Sequence, residues 1–107
     1  MNDACRLYIL NEDGEPEPCP NPFKWVMWME HGIPGQRIVL QTHVGDSNVL
    51  TVFIGTDRQC GDGPPILWET MILGGPCDQR RWRYATKLEA LHGHGLAMQQ
   101  IEDAHRI

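Results

Sequence analysis

Three apolar runs decide the reading of this chain: Arg37-Ile38-Val39-Leu40-Gln41-Thr42-His43, Val49-Leu50-Thr51-Val52-Phe53-Ile54 and Ile66-Leu67-Trp68-Glu69-Thr70-Met71-Ile72-Leu73. All three are short and rich in β-branched and aromatic residues, the composition of strands. Gly45-Asp46-Ser47-Asn48 separates the first two and predicts an antiparallel hairpin with a loop of about four to five residues. Gly55 to Pro65 (GTDRQCGDGPP) is too rich in glycine and proline for regular structure. The third run is therefore a further strand joined by a long loop, and Gly74-Gly75-Pro76 stops it. Residues 76–84 read as a polar connection ending in Trp82-Arg83-Tyr84.

Towards the N-terminus, Arg6-Leu7-Tyr8-Ile9-Leu10 is a short strand candidate closed by the turn residues Asn11-Glu12-Asp13-Gly14. Pro16, Pro18, Pro20 and Pro22 then impose an extended, polyproline-like path. Asn21-Pro22 places an N-cap before a proline at the first helical position. Residues 23–31 fit helical spacing through Trp25, Trp28 and Met29, and strand alternation through Phe23, Trp25, Met27 and Met29. The cap favours a short helix, closed by Gly32. The segment is apolar on nearly all sides and is expected to be buried or at an interface.

Towards the C-terminus, Thr86-Lys87-Leu88-Glu89 is a capping box. The helix it opens carries Leu88, Leu91, Met98 and Ile101 on one face. Gly93 and Gly95 cost such a helix about 1 kcal/mol each relative to alanine. A glycine turned towards the sheet offsets this by letting the two backbones approach. The sum is an α+β fold: an antiparallel sheet of three to four strands, a C-terminal helix on one face and a short N-terminal helix, in one domain spanning 1–107.

The chain has 107 residues, 41% of them hydrophobic, and a net charge of −5. That is one domain's worth of chain, too short for a two-domain cofactor enzyme and too apolar for disorder. Its apolar runs reach about six residues, against about 20 for a membrane span. The start of the chain lacks a basic segment followed by an apolar one, so a soluble, cytoplasmic protein is expected. Nine Lys+Arg against 14 Asp+Glu argue against nucleic acid or anionic membrane as the partner. Charge is segregated, with Glu12, Asp13, Glu15 and Glu17 on one side and Arg80, Arg81 and Arg83 on the other. The second group, with Trp82 for stacking, is the one feature that a nucleic-acid reading could use.

Cys5, Cys19, Cys60 and Cys77 are irregularly spaced, with no CxxC, and are expected to be free thiols. A zinc site from Cys60, Cys77, His92 and His94 is disfavoured, because His92 and His94 point to nearly opposite sides of a helix. No metal and no cofactor is expected, since neither a Walker loop nor GxGxxG occurs. Cys60 has no neighbouring base to make it a nucleophile. Glu69 sits inside an apolar strand, and His94 lies on the helix face turned to the sheet. A contact between them would give either a structural hydrogen bond or a base oriented by a carboxylate. Asp57 and Arg58 in the long loop, and Trp68, Arg83 and Tyr84 nearby, complete the candidate binding set.

Four tryptophans, Trp25, Trp28, Trp68 and Trp82, are many to bury in so small a domain. Both faces of the central strands are apolar: Ile66, Trp68, Thr70 and Ile72 on one side of the third run, Leu67, Glu69, Met71 and Leu73 on the other. One helix cannot cover both. Either the N-terminal segment or a second subunit covers the remaining face, and a homodimer or higher oligomer is expected.

The pattern Thr51-Val52-Phe53-Ile54-Gly55-Thr56-Asp57, Gly63-Pro64-Pro65-Ile66-Leu67-Trp68-Glu69-Thr70-Met71-Ile72-Leu73-Gly74-Gly75, Arg83-Tyr84-Ala85-Thr86 and Glu89-Ala90 resembles small proteins of unknown function encoded by phages and other mobile genetic elements. Trp25, Trp28, Met29 and Glu30 fit the same pattern, which covers residues 7–95. The resemblance implies a genomic setting and no activity. Arg58 stands where similar proteins often carry histidine, which weakens any metal or acid–base role for that position. Two functional readings follow: a non-catalytic oligomeric protein acting through protein contacts, and a small-molecule-binding protein or small enzyme using Glu69 and His94.

Overall fold

The computed structural model describes residues 6–32 and 36–106. The elements are β1 (Tyr8–Leu10), β2 (Pro16–Pro18), α1 (Pro22–His31), β3 (Ile38–Val44), β4 (Ser47–Phe53), β5 (Trp68–Leu73), β6 (Arg81–Tyr84) and α2 (Lys87–His105). They form an antiparallel four-stranded sheet in the order β3-β4-β5-β6 and a separate antiparallel pair, β1-β2. α2 packs across the larger sheet, so the α+β class stands.

The β3–β4 hairpin is tighter than the sequence suggests. Its turn is only Gly45-Asp46, because Ser47 and Asn48 already pair with Val44 and His43. Gly45 takes φ +59°, the left-handed value that the first central residue of a type II′ turn requires. A bulge between Ile38 and Leu40 leaves Val39 without a pairing partner. β4 then alternates cleanly, with Ser47, Val49, Thr51 and Phe53 buried. Across it, Trp68, Thr70 and Ile72 of β5 are buried on the same side.

Three expectations need correction. First, the connection ending in Trp82-Arg83-Tyr84 is an edge strand, β6, paired with Trp68 to Met71. Its two arginines disguise it, since only alternate residues are apolar. Second, the proline-rich segment supplies β2, and the early strand pairs with β2 rather than joining the main sheet. Third, the helix face that carries Leu88, Leu91, Met98 and Ile101 does not act as one: Met98 and Ile101 join the core, and the two leucines do not. Ala90, Gly93, His94, Ala97 and Ile101 are buried, whereas Leu88 is 78% exposed and Leu91 is exposed. Small residues win the contact because they let α2 lie close. At Gly93 the Tyr84 ring fills the space where a side chain would be.

α1 is capped as expected, with the Asn21 carboxamide oxygen accepting from the N–H groups of Phe23 and Lys24. None of its residues is fully buried, so of the two placements expected for so apolar a segment the buried one is not met. Trp25 holds it in place by donating from Nε1 to the carbonyls of Tyr8 and Gly55 at 3.1 and 2.9 Å. Trp28 packs edge-on against Phe53, with ring centroids 6.0 Å apart.

The core has two apolar clusters, both between the sheet and α2. Leu10, Phe53, Leu67, Trp68 and Ala90 form one, joined by Tyr8, Trp28 and Tyr84. Val49, Ile72, Cys77, Ala97 and Ile101 form the other. The N-terminal segment thus packs on the same side of the sheet as α2. Of the four tryptophans only Trp68 is fully buried.

Candidate functional site

Between the two apolar clusters lies a polar knot. His94, 1% exposed, projects from α2 onto β4. Its Nδ1 lies 2.7 Å from Thr51 Oγ1 and its Nε2 lies 3.0 Å from Thr42 Oγ1. Thr51 Oγ1 in turn meets Thr70 Oγ1 at 2.6 Å. A neutral imidazole completes this chain in one direction. One ring nitrogen donates and the other accepts, and the three threonine hydroxyls orient to match, so every member of the chain is satisfied. Burial pushes the imidazole pKa below its ordinary value, which keeps the ring neutral. Both ring nitrogens are occupied inside the core, so no face of His94 is offered to a substrate.

Glu69 is on the opposite face of β5. Its Oε1 accepts from Arg83 Nε at 3.0 Å, directly across the β5–β6 pairing, with Arg81 NH1 at 3.9 Å. The contact between Glu69 and His94 is therefore not made. Adjacent strand residues point to opposite faces, so Thr70 reaches the His94 chain through Thr51 and Glu69 cannot. Glu69 is buried, at 8% exposed, and its carboxylate is paired, which is how a buried charge is accommodated in an apolar strand.

The other candidates disperse. Asp57 is a loop brace: its Oδ1 accepts from the N–H groups of Gln59 and Ile66 at 2.8 and 2.9 Å. Arg58 and Cys60 are exposed on the loop that Asp57 closes. Trp68 is core, stacked at a tilt on Phe53 at 5.0 Å. Cys77 is buried against the Gln100 carbonyl, far in role from exposed Cys60 and from His94 among its threonines, so the zinc set is not assembled. Cys5 lies outside the described residues. Arg80 is bonded to Gln100, and Trp82 faces α2 while Arg81 and Arg83 face the other way, so indole and guanidinium groups do not form one strand-binding track.

What the sequence reading missed is a groove of about 820 Å³ between β6 and α2. Trp82, Tyr84, Leu88, Leu91, His92 and Leu96 line it. The signal was available: Leu88 and Leu96 recur at helical spacing, outside the stripe of small residues that the sheet takes. On the other side of the sheet, Ile38, Leu50, Val52, Met71 and Leu73 form an aliphatic field beside the Glu69–arginine cluster. Among the described residues no element packs on that face.

These features define a two-layer α+β protein in which α2 covers one sheet face and no described element covers the other. No family model, no curated protein and no solved structure matches the chain. No helix among the described residues is long and apolar enough to cross a membrane.

Proposed function

We propose that this is a non-catalytic interaction protein of a phage or other mobile element that self-associates through the open face of its four-stranded sheet. The observation that carries this reading is the uncovered aliphatic field of Ile38, Leu50, Val52, Met71 and Leu73. The N-terminal segment, which was the intramolecular candidate to cover it, packs on the α2 side instead. Two such faces pack about 10 Å apart in a sheet-on-sheet arrangement. Glu69 does not obstruct this, because Arg83 already pairs with it, and Arg81 lies on the edge strand at the margin of the field, where its half-exposed side chain can stay in water. The motif residues support the same reading. Thr51 and Thr70 tie the knot, Asp57 braces the loop, Thr86 and Glu89 cap α2, and Tyr84 seats against Gly93. Each maintains the fold, and none converges with another on a reaction centre.

Sedimentation velocity over about 1 to 100 μM tests it, a range that spans ordinary dimer affinities. The wild type is expected to shift to twice the monomer mass. Leu50→Lys, at a half-exposed position in the middle of the field, is expected to weaken association at least about tenfold while leaving the far-ultraviolet dichroism unchanged. A wild type that stays monomeric at the top of the range sinks the proposal.

A further inference from the structure

We infer that the outer edge of β6, together with the groove between β6 and α2, takes an extended peptide segment of a partner protein in which apolar and acidic residues alternate. β6 is the last strand of its sheet, and among the described residues it pairs only with β5. Every second N–H and C=O along it therefore faces outward without a strand partner, the template for strand addition.

The side chains of β6 alternate in burial, Arg81 and Arg83 exposed, Trp82 and Tyr84 half-buried. An added strand alternates likewise. On the α2 side its residues would meet the groove walled by Trp82, Tyr84, Leu88 and Leu96. Glu89 also lines that groove, and its negative charge, held at the capping box, disfavours acidic residues there. On the other side they would meet Arg81 and Arg83, which share the single carboxylate of Glu69 and leave that corner with a surplus positive charge. Apolar residues on one side and acidic ones on the other are what the edge can satisfy.

The same arginines argue against a second copy of this chain as occupant. Antiparallel pairing of β6 with its own copy brings arginines opposite arginines, and like charges directly across a ladder are destabilising. The other free edge, β3, presents Ile38, Gln41 and His43 on the corresponding face and offers no carboxylate.

The inference does not depend on self-association, and its test separates the two. The probe is a fluorescein-labelled peptide of eight residues alternating valine and glutamate, read by anisotropy. It is expected to bind the wild type and the Leu50→Lys variant equally. A peptide with lysine for glutamate is expected to bind about tenfold or more weakly. Leu96→Gln and Arg81→Gln, both at exposed positions, are each expected to cost about three- to tenfold. Methylating the valine amides in one peptide and the glutamate amides in another is expected to weaken one of the two about tenfold and to spare the other, because only alternate amides face β6. No binding up to about 1 mM, equal binding of the acidic and basic peptides, or indifference to both methylations would overturn the inference. Loss of binding in Leu50→Lys alone would also overturn it, because the site would then belong to the dimer.

Discussion

His94→Ala is expected to lower the unfolding free energy by about 3 to 4 kcal/mol, measured by urea denaturation at pH 7.5. Two costs combine. A ring that is almost fully buried is replaced by a cavity, and large-to-small changes of this size in a core cost about 3 to 5 kcal/mol. Thr42 and Thr51 also lose their imidazole partner, and a buried hydroxyl left unsatisfied costs about 1 to 3 kcal/mol. Water entering the cavity recovers part of this, so the sum is not reached. The same variant reports on pH. Burial depresses the folded pKa of His94 below 6.5, so the unfolded chain takes up the proton first. The stabilising contribution is thus complete above about pH 6.5 and is lost as the pH falls through the lowered folded value. In that window the wild type should lose stability at up to about 1.4 kcal/mol per pH unit relative to His94→Ala. A stability difference that stays constant with pH would show that the ring is not held neutral by the core.

Gly93→Ala and Gly95→Ala, two residues apart on one helix, should move stability in opposite directions. A Cβ on Gly93 would fall 2.7 Å from Tyr84 Cε1 and closer still to Cζ and the hydroxyl. A ring packed into the first core cluster cannot swing aside freely, and overpacking of this kind costs about 1 to 3 kcal/mol or more. The helix-propensity gain of about 1 kcal/mol offsets only part of it. A net loss of about 2 kcal/mol is expected. At Gly95 nothing lies within 4 Å of an added Cβ, so the propensity gain of about 1 kcal/mol should appear undiminished. Paired thermal melts give both signs. A double-mutant cycle with Tyr84→Ala should recover most of the Gly93→Ala loss, since the cause is one contact.

The strands β3, β4 and β5 were legible because their β-branched and aromatic runs are bounded by turn residues. Both caps were legible because Asn21-Pro22 and Thr86…Glu89 are local chemistry. β6 was not, because its pairing depends on Glu69 meeting Arg83, a contact set by sheet register and not by neighbours in sequence. Which residues of α2 make the sheet contact was not legible for a related reason. Periodicity locates apolar stripes, but which stripe faces a sheet depends on how close the backbones come, and here alanine and glycine allow what leucine does not. The position of His94 was foreseen while its partners were not. Glu69 looked available only until the alternation of β5 placed it on the other face and Thr70 in the hydroxyl chain that reaches the ring through Thr51.

The covering helix comes last in the chain order of the larger sheet, and this bears on synthesis. Every strand from β3 to β6 leaves the ribosome before any residue of α2, and at about 5 to 20 residues per second the 19 residues of α2 follow over one to several seconds. During that interval the rows carrying Val49, Phe53, Trp68 and Ile72 have no cover from α2, and the opposite rows have none from any described element. A chain halted before Lys87 should therefore be recovered in the insoluble fraction. The nascent protein depends on its final helix, or on a chaperone standing in for it, to avoid pairing with other unfinished copies.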